Sequence, residues 1–414
     1  MHSTSDINSS FRNSLNDLKK DGQPYHTRGT DVIEITGYNF AITNPRMRFL
    51  TQPYRYNNIS ATIAETFWVF SGRNDLNFLK FFLPNCVDYA DPNTPFLWGG
   101  AYGPRLRVYD VLNNRFFLYD ENWNAPSKNY EISQLDKKNT DQILNAIKAI
   151  KQDKFTRQSI IMIPDPTWDY DPDFKTKDRP CTIFIQFLVR DNRLNCYTYL
   201  RSNDVIWGAY NINIFEWTFL QEIIASILGL KLGTYNHYAT SFHYYTTMEK
   251  RIGDILSHNY NVYYETNKPN IMNRFDSLED FYHTIEKAIA VFEKLIAFTD
   301  PTSLLEQSLT EIITNNIPES YHVLNSPLRD YFISVSSYIL IEHGLYKAAL
   351  TLLEYILEDD IYIATIEGLM RRSEKKGIRN EIESLFNNSL SSLKQHRAIT
   401  DNTYKYITGD WKTL

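Results

Sequence analysis

Apolar and polar residues alternate from Val32-Ile33-Glu34-Ile35 and again from Tyr38 to Thr43, and this period of two predicts a strand. Residues 62–70 switch to helical apolar spacing, and Ser71-Gly72 supplies the stop. An amphipathic helix is expected over 141–151, capped by Thr140 or Asp141. Strand-like runs follow at 158–163, 183–189 and 194–200, the last two joined by the turn pair Asp191-Asn192. A long helix from Ile214 to Leu228 closes at Gly229, and mixed elements continue to about residue 265. The pattern predicts an α+β domain built round a large mixed sheet with flanking helices.

Beyond that point the pattern is helical only, at 278–298, 303–314, 328–343, 346–358 and 378–395. No repeat period links these segments, so they read as a small bundle that packs against the rest, supports a dimer or binds a partner. The division expected is a polar N-terminal arm (1–24), an α+β domain (25–270) and an all-α C-terminal extension (271–414).

Composition narrows the class. The 414 residues are 43% hydrophobic and 22% charged, with a net charge of -6, which suits a soluble globular protein and argues against a general nucleic-acid binder. Three cysteines, Cys86, Cys181 and Cys196, are too few for a disulfide framework and favour a reducing compartment. The first 23 residues lack an apolar signal region, and no apolar window reaches the length of a membrane span. A cytoplasmic protein without membrane or nucleic-acid partners is expected.

Candidate chemistry is concentrated in Arg179-Pro180-Cys181-Thr182 and Arg201-Ser202-Asn203-Asp204. The hairpin between them returns Arg201 beside Cys181. A cysteine becomes a nucleophile when a nearby cation lowers its pKa, although a lone cysteine in a strand is more often a small core residue. Glu65 stands in the otherwise apolar Ala64-Glu65-Thr66-Phe67-Trp68 run, where a carboxylate must be paired, hydrated or protonated.

The run from Pro180 to Asp204 resembles thymidylate synthase and the related pyrimidine-nucleotide hydroxymethylases, and the resemblance extends over about residues 25–250. It implies a homodimer that transfers a one-carbon unit from 5,10-methylenetetrahydrofolate to C5 of a pyrimidine nucleoside monophosphate. Cys181 would be the nucleophile, Glu65 the proton relay and Tyr102, in Ala101-Tyr102-Gly103, the tyrosine near C5. Arg28, Arg201 and Ser202 would hold the phosphate, joined by Arg157 from the other subunit. His243 and Tyr245 would hold the ribose 3′ hydroxyl, and Asp204 the pterin of the folate. Asn213 would read the base, favouring uracil; it lies one residue farther from Gly208 than the family pattern, which leaves Asn211 as a rival.

Four departures accompany the resemblance. Gln158 follows Arg157 in place of a second arginine, and Thr182 replaces the histidine that follows the nucleophile in thymidylate synthases. The family's tryptophan pair is not evident, since residues 86–91 contain Tyr89 and Trp98 lies elsewhere. The chain ends in Gly409-Asp410-Trp411-Lys412-Thr413-Leu414 rather than in a short apolar tail. A site less able to exclude water favours hydroxymethylation of dUMP over reductive methylation. The alternatives are a true thymidylate synthase and a catalytically idle homologue with a binding or regulatory role.

Overall fold

The computed structural model describes residues 2–110, 139–257, 273–298 and 317–377, apart from positions 28, 53, 56, 91–93, 98, 167–168 and 174–175, together with the single positions 380 and 384. Arg28 and the helix expected at 303–314 lie outside the described residues, as does the one at 378–395 but for two positions. Two compact units interleave along the chain. The first comprises Met1–Arg48, Ala64–Thr246 and Asn270–Ile285; the second comprises Phe49–Ile63, Thr247–Pro269 and Glu286–Leu414.

The first unit contains β1 (His2–Thr4), α1 (Ile7–Asp21), β2 (Gln23–Thr27) and β3 (Thr30–Ile42). Then come α2 (Ile59–Phe70, which enters from the second unit), α3 (Leu76–Phe82), α4 (Tyr102–Arg107), the short β4 (Tyr109–Asp110) and β5 (Asn139–Thr140), and α5 (Gln142–Gln152). The stretch that carries Cys181 and Arg201 supplies β6 (Ile160–Met162), β7 (Thr182–Arg190), β8 (Arg193–Asp204), α6 (Ile214–Ile227) and β9 (Lys231–Tyr245). A seven-stranded sheet runs in the order β1-β3-β9-β8-β7-β6, with β2 added beside β3. β9 pairs parallel with β8 and antiparallel with β3, so the sheet is mixed.

Local chemistry accounts for most boundaries. Asp141 caps α5 by accepting from Leu144 N at 2.8 Å. Gly72 (φ 80°) and Gly229 (φ 63°) take the left-handed conformation that ends α2 and α6 cheaply. Asp191 and Asn192, at φ 50° and 57°, form the two-residue turn of the β7–β8 hairpin, whose twist matches the strands.

The N-terminal residues differ from the polar arm read from sequence. α1 buries Ile7, Phe11, Leu15 and Leu18 on one face, each contributing about 1.5–3 kcal/mol on full burial. Serines mask this stripe in the sequence, yet Ser10 and Ser14 have a partner: both hydroxyls lie 2.7 Å from the buried Tyr210 hydroxyl. Tyr210 belongs to a π-helical segment, Val205–Asn213, that connects β8 to α6 and that the apolar spacing did not predict.

Buried charges brace the same unit. Arg105 holds Asp169 through two hydrogen bonds of 2.5 and 3.0 Å, and Asp169 Oδ2 accepts from Asp165 N at 2.7 Å. Glu222 on α6 is paired with Arg46 and Arg48, all three buried. Such pairs are costly to break singly, because the remaining charge is left uncompensated.

The regular elements of the second unit, among the described residues, are helices. They include Glu249–Ser257, Pro318–Leu324, Arg329–Glu342, Tyr346–Leu353 and Asp359–Lys376, and Leu278–Ile296 runs from the first unit into the second. Arg329–Glu342 is buried along nearly its whole length and ends at Gly344 (φ 79°). Asp359–Lys376 was not expected from sequence. Asp330 accepts from the backbone amides of Leu357 and Glu358 at 3.0 and 2.9 Å, fixing the approach to it.

Candidate active site

Cys181 immediately precedes β7, and the hairpin places it against β8. Arg201 N donates to the Cys181 carbonyl at 2.9 Å. The Arg201 guanidinium also holds the Pro180 carbonyl (2.9 Å) and the Arg179 carbonyl (3.1 Å). One arginine thereby clamps the backbone of three consecutive residues, Arg179 to Cys181. Asp178 steadies the segment from the other side by accepting from Gly99 N (3.0 Å) and Gly100 N (2.7 Å). A side chain at residue 99 would collide with the Asp178 carbonyl, its Cβ only 2.2 Å away, so glycine is required for this approach.

Tyr102 meets the segment at Thr182, next to Cys181. Its hydroxyl accepts from Thr182 N at 3.3 Å, and its ring stacks on Trp217 of α6 at 5.5 Å. Burial, then the nearby Cys181, pushes the phenol upward, so it stays protonated at neutral pH. Gly103 lets α4 press onto the end of α2, since a Cβ there would meet the Arg73 and Val69 carbonyls at 2.6 and 2.7 Å.

Glu65 on α2 keeps partial exposure but lies deep enough that burial pushes its carboxyl up to about 7. Its electrostatic partner is Glu216 on α6, which sequence reading did not single out. Glu216 is 1% exposed, and its Oε1 has no hydrogen-bond partner among the described residues. Burial, followed by the charge of Glu65, raises it well above the usual carboxylate range. Two such groups resist being charged together and suit the holding and release of one proton. The signal was available: Glu216, like Glu65, is a lone acid on an apolar helix face.

The remaining candidates cluster along β8 and β9. Ser202 is level with Ser241, and Asp204 with His243, in the parallel pairing. Asp204 caps the π-helical segment by accepting from Trp207 N. His243 is lowered by burial, although Asp204 and Glu34 oppose this; Tyr245 meets its ring edge-on at 5.4 Å. Asn213 is buried at the end of the π-helical segment and accepts through Oδ1 from Asn203 Nδ2 at 2.8 Å. A π turn holds about one residue more than an α turn, so the segment has room for one residue more between Gly208 and Asn213 than an α-helical turn would. Asn211 does not share this hydrogen bond.

Arg157 is exposed ahead of β6, where only its carbonyl is engaged, by Gln186 Nε2 at 2.8 Å. Its guanidinium has no partner among the described residues, and no contact joins it to Cys181 within the chain. Asn203, Tyr235 and His237 form a buried network with Asn213 that no local sequence pattern signals.

Residues 9–285 match the family model described as thymidylate synthase. The deoxyuridylate hydroxymethyltransferase of Delftia phage PhiW-14 is 31% identical over 351 residues, covering 81% of this chain and 87% of that protein. Proteins of the same name from Bacillus phage SP01 and Pseudomonas phage M6 are each 28% identical. The first match covers 64% of both chains, the second 51% of both. The chain belongs to the thymidylate synthase family. The PhiW-14 match is longer than the family span, so similarity reaches into the helical C-terminal part.

Proposed function

We propose that this protein is a folate-dependent transferase that converts dUMP to 5-hydroxymethyl-dUMP, with 5,10-methylenetetrahydrofolate as the one-carbon donor. The observation that carries the reading is Cys181 clamped by Arg201 above Tyr102, in a chain aligned with most of a deoxyuridylate hydroxymethyltransferase.

C5 of uracil is a weak nucleophile. Addition of the Cys181 thiolate to C6 moves the C5=C6 electrons toward O4 and makes C5 an enolate carbon. C5 bonds to the one-carbon unit, then loses its proton with help from Tyr102 as the folate amine departs. Water adds to the resulting exocyclic methylene, and Glu65 takes the water's surplus proton. Expulsion of Cys181 restores C5=C6. Attack by hydride in place of water would give a methyl group, and the absence of the family's tryptophan pair favours water.

Arg28, Arg201, Ser202 and the partner subunit's copy of Arg157 are assigned to the phosphate, and His243 and Tyr245 to the ribose 3′ hydroxyl. Asn213 is assigned to the base. Asp204 is assigned to the pterin; the exposed Trp207, three residues on, offers a flat apolar surface beside it. A homodimer is supported by the outer sheet face, where Phe184, Tyr199 and Tyr238 stack at 5.6 and 4.8 Å among exposed Ile160, Met162 and Tyr197. Catalysis is assigned to the first compact unit, with the helical unit as a packing appendage. Three cysteines that form no disulfide suit a cytoplasmic protein, and no helix among the described residues is long and apolar enough to cross a membrane.

The test is incubation with dUMP, dCMP, UMP or CMP plus methylenetetrahydrofolate, followed by mass analysis. A hydroxymethyl product from dUMP supports the proposal. The methyl product, one oxygen lighter, identifies a thymidylate synthase, and no product identifies an idle homologue.

A further inference from the structure

Asn213 is one end of a buried hydrogen-bond chain. Asn203 Nδ2 donates to Asn213 Oδ1 at 2.8 Å, while Asn203 Oδ1 lies 2.9 Å from His237 Nε2. His237 Nδ1 lies 2.9 Å from the Tyr235 hydroxyl, which in turn lies 2.9 Å from the Thr198 hydroxyl. All five side chains are buried. The chain crosses from β8 to β9 and back to the start of α6.

The direction of this chain follows from its chemistry. Burial lowers His237 to about 3, so its ring is neutral and carries one N–H. An amide oxygen only accepts, so the proton facing Asn203 Oδ1 is on Nε2. Nδ1 is left to accept from Tyr235. Asn203 has then spent its oxygen on His237, and it presents its amide nitrogen to Asn213. Asn213 Oδ1 receives that bond, and its Nδ2 has no partner among the described residues. Gly208 makes room for the arrangement, since a Cβ there would come within 2.6 Å of Asn203 Nδ2.

We propose that Asn203 and His237 are specificity-determining residues that hold the Asn213 amide nitrogen toward the base, selecting a 4-oxo over a 4-amino pyrimidine. Uracil presents the acceptor O4 to that nitrogen; cytosine presents an amino donor, leaving donor against donor. The inference rests on the proposed nucleotide site and adds to it the reason why Asn213 has one orientation.

Asn203→Asp reverses the direction of the chain. A carboxylate accepts from both His237 Nε2 and Asn213 Nδ2, so the Asn213 amide turns over and offers Oδ1 to the base. The measurement is calorimetric affinity of the full-length protein for dUMP and dCMP without folate. The dUMP-to-dCMP affinity ratio is expected to fall by about tenfold or more in Asn203→Asp. His237→Phe keeps the ring that stacks on Phe40 at 4.8 Å but removes the donor, and is expected to bring the ratio toward one. His237→Gln restores a donor and is expected to recover the wild-type ratio, which loss of packing alone would not produce. An unchanged ratio in whichever of Asn203→Asp and His237→Phe folds, beside a wild type that prefers dUMP, overturns this inference alone. A wild type that binds neither nucleotide overturns the functional reading and this inference with it.

Discussion

Arg201 and Cys181 are joined through the backbone, with Arg201 N donating to the Cys181 carbonyl at 2.9 Å while the same arginine's side chain grips the two preceding carbonyls. The position of Cys181, the proposed nucleophile, therefore depends on the group proposed to bind phosphate. Charge-assisted bonds of this kind contribute about 1.5–3 kcal/mol each, enough to hold a short segment in one conformation.

Cys181→Ala is expected to abolish turnover while leaving nucleotide affinity within a few-fold of wild type, because the proposed binding contacts lie elsewhere. Cys196 is fully buried, and burial holds its thiol well above the normal value, so it stays uncharged and inert. Cys196→Ala should retain activity and cost about 1 kcal/mol of stability. Steady-state kinetics, binding calorimetry and urea unfolding separate the two variants, and turnover by Cys181→Ala would remove that residue from the mechanism.

Glu65 links stability to pH. Burial raises its carboxyl from 4.5 to about 7, so the folded protein favours the protonated form more than the unfolded chain does. Its favourable contribution is complete below the unfolded value and is lost as pH rises through 7. Glu65→Gln cannot ionise, so its stability relative to wild type should rise by up to about 3 kcal/mol between pH 4 and pH 8. Denaturant unfolding across that range is the check; parallel curves would mean that Glu65 is not a buried acid.

Asn213→Asp is expected to shift preference from uracil toward cytosine nucleotides, because a carboxylate accepts from the cytosine amino group and repels O4. Asn211→Asp should leave the preference unchanged, since the amide held by Asn203 is that of Asn213. Competition between dUMP and dCMP in binding assays distinguishes the two positions. A shift confined to the residue 211 variant would reassign base recognition.

The proposed dimer predicts complementation. Cys181→Ala subunits, inactive alone, and Arg157→Ala subunits, weak alone, should regain activity when mixed under conditions that permit exchange. One site of the mixed dimer then combines an intact cysteine with an intact arginine from the other chain. Tagged pull-down confirms exchange independently. Exchange without recovered activity would restrict Arg157 to its own subunit.

Several elements were legible because their causes are local. Asp191-Asn192 carries the positive φ values that a tight hairpin requires, and that hairpin brings Arg201 to Cys181 across twenty residues. Asp141 caps α5, while Gly72 and Gly229 end their helices through neighbouring backbone geometry. Glu65 was visible as an acid in an apolar run. Each inference needed only a short window of sequence.

The amphipathic packing of α1 was obscured by serines that find Tyr210 nearly two hundred residues away. Those contacts help fix the π-helical segment, which decides that Asn213 rather than Asn211 faces Asn203. Glu216 gains its role from the approach of α6 to α2, and His237 from the parallel pairing of β8 with β9. By itself the sequence determined the hairpin and the caps and singled out the candidate reactive groups, because short-range sterics and hydrogen bonding suffice for the first two and residue chemistry for the third. Only the tertiary structure decided which polar groups share a buried environment, because desolvation and hydrogen-bond direction depend on neighbours supplied by distant segments.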